Sequence, residues 1–161
     1  MSAIRGSCLC GGIKFEFTGP MSTSSNCHCS MCRKQHGAAF RSRARVEQKN
    51  FKWLQGEDLV NFYESSPGIF RDFCRVCGSP TVNKYGAGSA LLKSDPDAAA
   101  RYGIALATLD DDPGVRPSSH IFVESKAPWF TITDDLPQIP GAPSRGSELS
   151  AVSLGKSLFD C

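Results

Sequence analysis

Cysteine is the residue type in this sequence whose spacing most directly indicates chemistry. Seven of the eight cysteines lie in three short motifs, which are Cys8 and Cys10, then Cys27, Cys29 and Cys32, then Cys74 and Cys77. Cys-x-Cys and Cys-x-x-Cys turns present two thiolates at a spacing that suits tetrahedral zinc, which lies about 2.3 Å from each sulfur. In a reducing compartment, closely spaced thiols are more often metal ligands or redox groups than disulfides. The motifs therefore predict metal binding.

The spacing also divides the sulfurs between two sites. Three cysteines within six residues must serve one ion, because the chain cannot carry them far apart. The two outlying pairs then form a complete four-thiolate site that connects the N-terminal hairpin to the middle of the sheet. A structural zinc of this kind contributes about 10–16 kcal/mol of apparent binding free energy to folding. Buried thiol pairs or a disulfide are the alternative for these four residues, which are Cys8, Cys10, Cys74 and Cys77.

The remaining group, Cys27, Cys29 and Cys32, is one ligand short of a closed zinc site. Three protein ligands and an open fourth position are typical of catalytic zinc. A histidine would instead complete a second structural site, and His36 is the serious candidate because it follows the last cysteine by one helical turn. His28 would point away from the sulfurs if the chain around it is extended.

A basic strip follows the open group directly. Arg41, Arg43 and Arg45 alternate along one face of a predicted strand. Arginine pairs suit carboxylate ligands, although a solvated strand face is the alternative. Lys126 and Trp129 are further candidates for the wall of the same pocket.

The elements that position these residues are predicted to be short strands separated by glycine and proline. Residues 13–17 and 40–46 alternate apolar and polar side chains, which favours strands with one buried face. Residues 51–54 and 59–63, with four residues between them, resemble a hairpin. Two stretches, 30–37 and 97–102, are long enough for a helical turn or two. The fold class is therefore mainly β.

Composition limits the function classes. The 161 residues suffice for one domain, and 18 basic against 16 acidic residues leave a net charge of +2. So small a charge does not favour nucleic acid as a partner. No apolar stretch is long enough to span a membrane, and the first residues lack the apolar core of a signal peptide. We therefore expect a cytoplasmic protein.

The composition changes after Pro137 toward proline, glycine and serine. This change predicts a domain over residues 1–137 and a flexible tail over 138–161. The alternative is an arm that docks on a partner subunit, as in a homodimer. Cys161, at the end of the tail, is expected to be a free thiol.

Four segments together resemble the glutathione-dependent formaldehyde-activating enzyme family, also called the centromere protein V type. They are GSCLCGGIKFEF, CHCSMCRKQHGAAF, FCRVCGSP and HIFVESKAPWF, in this order. The match covers about residues 6 to 135. The resemblance implies an Mss4-like fold, with small antiparallel sheets around a structural zinc on the four-cysteine group. It also implies a second zinc on the three-cysteine group, beside a glutathione pocket.

The named activity of that family is the addition of glutathione to formaldehyde, a carbon–sulfur lyase reaction. An open, thiolate-rich zinc suits one more soft ligand such as the glutathione thiolate. The alkoxide that forms on the aldehyde then needs a proton, for which His28, His36 and water are the candidates. Two other function classes stay open: a non-catalytic zinc module that binds protein or nucleic acid, and a carrier of glutathione or its adducts.

Overall fold

A computed structural model describes residues 2–143, which form two β-sheets and two α-helices. The strands are β1 Ile4–Ser7, β2 Lys14–Phe17, β3 Ser24–Cys27, β4 Arg41–Glu47, β5 Phe51–Gln55, β6 Val60–Ser66, β7 Ile69–Cys74, β8 Pro80–Tyr85, β9 Arg101–Ala105, β10 Pro117–Ile121 and β11 Gln138–Ile139. The helices are α1 Ser30–His36 and α2 Leu91–Ser94, and short 3-10 turns cover Gln48–Asn50, Glu57–Leu59, Pro96–Ala100, Leu106–Thr108 and Val123–Ser125. None of the helices in this part of the chain has the length and apolarity needed to cross a membrane.

The strands form one small and one large sheet. The small sheet has the order β1-β2-β5 and is antiparallel. The large sheet has the order β11-β10-β3-β4-β9-β8-β7-β6, and β10 pairs in parallel with both β3 and β11. The prediction of a mainly β fold is confirmed. Most neighbouring strands are antiparallel, as expected, and the long connection between β9 and β10 returns the chain parallel to β3.

The hydrophobic core lies between the two sheets. Phe15 and Phe17 from β2 contact Val46, Val82 and Ile104 from the large sheet, and all five are fully buried. Side chains alternate across a strand, so the large sheet turns its other face away from this core. That second face carries the arginines of β4.

The predicted hairpin between residues 51–54 and 59–63 is wrong. β5 pairs with β2 in the small sheet, whereas β6 pairs with β7 in the large sheet. The chain changes sheets at Gly56, which has φ 71° and lies so close to Gly12 that an added Cβ would be 2.1 Å from its carbonyl oxygen. Periodicity within each strand does not reveal which sheet the strand joins.

The helix predicted over residues 30–37 is confirmed as α1. Cys29 caps its N-terminus, and Gly37 ends it in the left-handed conformation with φ 56°. Of the predicted tail, residues 138–143 are described, and Gln138 and Ile139 pair with His120 and Ile121 of β10. Residues 144–161, including Cys161, lie outside the described part of the chain.

Candidate metal centres and an arginine-lined cavity

The structure brings the four cysteines of the outlying pairs together. Their sulfur atoms all lie within 4.8 Å of one another, with Cys8 Sγ 3.4 Å from Cys10 Sγ and Cys10 Sγ 3.9 Å from Cys74 Sγ. A tetrahedron of sulfurs about 2.3 Å from a zinc ion has edges of about 3.8 Å. The four-sulfur group, completed by Cys77, therefore fits zinc in both donor type and spacing.

Two tight turns position these sulfurs. The first turns at Gly11, whose N–H donates to the Cys8 carbonyl, and the second at Gly78, whose N–H donates to the Cys74 carbonyl. Both glycines have positive φ, of 71° and 75°. The backbone N–H of Ile13 also donates to Cys8 Sγ over 3.2 Å. Such a donor favours the thiolate that a metal requires.

Hydrogen bonding also lowers the pKa of Cys77, the last cysteine of this group. The Ser79 hydroxyl and backbone N–H lower the pKa of Cys77 to about 5. Cys77 is therefore a thiolate at neutral pH, the form in which cysteine binds metal ions.

The second group consists of Cys27, Cys29 and Cys32, whose sulfurs also lie within 4.8 Å of one another. They come from the end of β3, the N-terminal cap of α1 and the first turn of α1. Among residues 2–143, no histidine or carboxylate joins either sulfur group at this distance. The group therefore offers three soft donors, which fit zinc with a fourth position left for another ligand.

Neighbouring charges act on this second group. Contacts with the thiols of Cys27 and Cys29, together with the charges of Arg41 and Arg71, lower the pKa of Cys32. Arg71 Nη1 lies 3.9 Å from Cys32 Sγ. The sulfurs of Cys29 and Cys32 and burial raise the pKa of Cys27, because a second thiolate so close to the first is unfavourable. A bound cation would relieve that repulsion.

A cavity of about 330 Å³ adjoins the three-cysteine group on the outer face of the large sheet. Four arginines line it, and no acidic residue of the described chain does. Three of them come from β4 and one from β7, and they are Arg41, Arg43, Arg45 and Arg71. A cavity with this lining is suited to an anionic ligand.

The arginines of the cavity differ in how many of their N–H donors have a partner. Arg41 is 3% exposed and donates to the carbonyl of Gly103 over 3.0 Å, but its buried Nε has no partner in the described part of the chain. Arg45 pairs with Asp95 at 2.6 Å. The guanidinium groups of Arg41 and Arg45 therefore stay charged and keep N–H donors available to a ligand.

Phe122 is a further cavity residue with an unusual backbone. Its φ of 57° is the only positive value among the non-glycine residues that the structure describes. Its N–H donates to the Gly141 carbonyl, and its ring packs against the three-cysteine group. A left-handed residue costs about 1–2 kcal/mol. Strain of this kind commonly accompanies functional sites.

His28 does not join the sulfurs on either side of it in sequence. Its side chain is fully buried, and its Nε2 lies 2.7 Å from Nδ1 of His120, whose Nε2 lies 3.1 Å from the Asp134 carboxylate. Burial lowers the pKa of His28. The His28 ring is therefore part of a hydrogen-bonded chain with His120 and Asp134, and it does not line the cavity.

His36, Lys126 and Trp129 also lie outside the cavity lining, whereas the three cysteines of the second group and the three arginines of β4 belong to it. His36 is half-buried on α1, where burial and the charge of Arg41 lower its pKa to about 4. Lys126 donates from Nζ to the carbonyls of Ala127 and Phe130, and Trp129 is 72% exposed. None of the residues of SKAPWF lines this cavity.

Arg71 and Tyr85 line the cavity although no motif of the sequence predicted it. Arg71 lies in the middle of an otherwise largely apolar strand, which is a signal for a buried charge with a function. Tyr85 ends β8 without any such signal. Both reach the cavity only because β7 and β8 lie in the same sheet as β4.

A three-stranded and an eight-stranded sheet that gather seven cysteines into two groups define a β-sheet protein with two candidate metal centres. A family model described as glutathione-dependent formaldehyde-activating enzyme matches residues 3–125. The chain therefore belongs to this family, as its four motifs predicted.

The fold is also similar to a solved structure. A crystal structure of a Rhodobacter sphaeroides protein, determined as a structural-genomics target, matches with a TM-score of 0.50 and 23% identity. The match covers 70% of this chain and 91% of that chain. This likeness concerns the fold alone.

Proposed function

We propose that the protein binds glutathione, or a related thiol, at a zinc site formed by Cys27, Cys29 and Cys32. There it forms or breaks the adduct of that thiol with an aldehyde such as formaldehyde, as a carbon–sulfur lyase. The observation that supports this most directly is the position of the three-sulfur group, which opens onto a cavity lined by four arginines. Membership of the glutathione-dependent family supports the same substrate class.

The charges of the cavity suit glutathione. Four guanidinium groups line it, and one of them, Arg45, is paired with Asp95. A zinc ion on three thiolates would carry a net charge of about −1. The site would therefore keep an excess of about two positive charges. Glutathione with an ionised thiol has a net charge of −2, from two carboxylates, one ammonium and one thiolate.

Residues of the chain would divide the work of binding and orientation. When bound, zinc would accept the glutathione thiolate as its fourth ligand and keep that sulfur ionised at neutral pH. Arg41 and Arg43 would hold the carboxylates through charge-assisted hydrogen bonds. Arg71, 3.9 Å from Cys32 Sγ, would stabilise the excess negative charge of the sulfurs. The ligand would then be fixed with its sulfur close to an incoming aldehyde, and proximity supplies much of the rate advantage.

The reaction forms a carbon–sulfur bond. The sulfur electron pair attacks the carbonyl carbon, the carbonyl π electrons move to oxygen, and the alkoxide takes up a proton to give the hydroxymethyl thioether. Reversal of the same steps breaks the adduct. No oxidant or reductant is consumed.

Calorimetric titration of the zinc-loaded protein with glutathione tests the binding half of this proposal. We expect saturation at or below millimolar glutathione, with two zinc ions per chain before titration. Exchange spectroscopy by NMR on mixtures of glutathione and formaldehyde tests turnover. An absence of binding heat would contradict the function, whereas binding without accelerated exchange would favour a glutathione carrier.

A further inference from the structure

The adduct chemistry leaves open which group exchanges the proton with the aldehyde oxygen. The two histidines that the sequence offers for this role, His28 and His36, do not line the cavity beside the three-cysteine group. Among the described residues that do line it, the titratable groups are the cysteines, the arginines and one phenol, that of Tyr85, because the hydroxyl of Ser94 and the amide of Asn83 do not titrate. The cysteines are committed to the metal, and arginine does not release its proton at neutral pH.

Tyr85, at the end of β8, is one of the residues that line this cavity. Its ring is 8% exposed and lies beneath the guanidinium of Arg45, whose Cζ is 5.5 Å from the ring centroid. Its hydroxyl lies over Gly103 in the middle of the large sheet, where an added Cβ would be 2.6 Å from the hydroxyl oxygen. A residue with any side chain at position 103 would displace the phenol. The glycine therefore makes the space that the hydroxyl occupies.

The surroundings of the phenol favour its ionised form. Burial alone would raise the pKa of Tyr85, but the charges of Arg43, Arg41 and Arg45 outweigh burial and hold the pKa below its ordinary value. Arg71 of β7 and the three cysteine thiols are the other titratable groups that line the cavity. The charge of Arg41 acts on both Cys32 and Tyr85.

We infer that Tyr85 is the catalytic acid and base of the adduct reaction, and this inference rests on the proposed function. In the addition direction the sulfur–carbon bond forms, the carbonyl electrons move to oxygen, and the Tyr85 O–H proton passes to that oxygen. The phenolate left behind is stabilised by the arginines of β4. It recovers its proton from the next glutathione thiol, so each cycle consumes one thiol and one aldehyde and releases one adduct. The reverse reaction uses the phenolate as the base.

Replacement of Tyr85 by phenylalanine removes the hydroxyl and keeps the ring. Acid–base groups typically contribute 10²–10⁴-fold to rate. We expect Tyr85→Phe to lower kcat by at least about 100-fold, with metal content and glutathione affinity within about twofold of the wild type. Tyr102→Phe is the matched control, because Tyr102 packs on Phe51 in the core side of the sheet and loses the same atom. Its rate should be unchanged.

The absorbance of the phenolate gives a readout that does not depend on turnover. The wild type should show one tyrosine that ionises below the usual value near 10, and this step should be absent in Tyr85→Phe but present in Tyr102→Phe. A Tyr85→Phe variant with wild-type kcat would overturn the assignment. A rise in KM with kcat unchanged would make the hydroxyl a binding group and would also overturn it. Absence of turnover in the wild type would refute the proposed function, and with it this role.

Discussion

The two cysteine groups are built from the same ligand type but are embedded differently. The four-cysteine group joins β1–β2 to β7–β8, so that Cys10 and Cys74, separated by 64 positions, have sulfurs 3.9 Å apart. The three-cysteine group comes from six consecutive residues and faces a cavity lined by charge. We therefore expect a metal on the four-cysteine group to stabilise the fold by connecting distant segments. We expect a metal on the three-cysteine group, beside the cavity, to keep a coordination position for another ligand.

The largest difference should appear when one ligand of the four-cysteine group is removed. Cys74→Ser should abolish cooperative unfolding, because a site worth about 10–16 kcal/mol is as large as the roughly 5–15 kcal/mol that stabilise an ordinary domain. Thermal unfolding followed by circular dichroism, with metal content measured in parallel, checks this. A soluble variant that unfolds cooperatively without this metal would contradict the structural role.

The corresponding change in the other group should affect binding rather than folding. Cys29→Ala should lose the second metal and detectable glutathione binding, while the melting temperature falls by only a few degrees. Cys29 belongs to a local turn, and its removal leaves the four-sulfur group intact. Calorimetric titration with glutathione is the measurement. If this variant unfolds as completely as Cys74→Ser, the two groups do not differ in role.

Chelation should separate the two groups without any mutation. Three protein ligands hold an ion less firmly than four, so mild chelation should remove one zinc per chain before the other. The circular dichroism spectrum should stay unchanged until the second zinc leaves. Simultaneous release of both ions with loss of structure would show that the two cysteine groups do not differ in role.

Replacement of an arginine of the cavity should have a smaller effect, on glutathione affinity alone. Arg43 lines the cavity and forms no ion pair among residues 2–143. Arg43→Gln should weaken glutathione binding about tenfold, the value of one charge-assisted hydrogen bond of about 1.5 kcal/mol. Arg116→Gln, at an exposed ion pair with Asp112, is the control and should leave the affinity unchanged. Equal affinities for both variants would exclude Arg43 from the binding site.

The smallest effect concerns the exposed aromatic residue of the SKAPWF segment. Trp129 is 72% exposed and lies outside the cavity lining. Trp129→Ala should therefore change glutathione affinity by less than about twofold, since it removes no contact from the cavity. A larger loss of glutathione affinity would show that Trp129 belongs to the wall of the glutathione pocket, as the sequence suggested.

Particular elements show how far sequence reasoning reached. Helix α1 was predicted with its end at Gly37, because a glycine that adopts positive φ is a local signal. The strands at residues 13–17 and 40–46 were predicted within one residue, because alternation is also local. The pairing of β5 and β6 was mistaken. Two strands separated by four residues joined different sheets, which depends on packing against β2 and β7.

The sequence by itself determined both cysteine groups, since six consecutive residues hold three sulfurs together and the two remaining pairs together supply four. It also determined the basic strip, because alternation places Arg41 and Arg43 on one face.

Only the tertiary structure decided which other residues line the cavity with these arginines. Arg71 and Tyr85 arrive on β7 and β8 through the strand order, and Gly103 on β9 leaves room for the phenol. Local signals fix the sulfur ligands because the chain itself limits their separation. The rest of the cavity depends on which strands pair, and that is set by long-range packing.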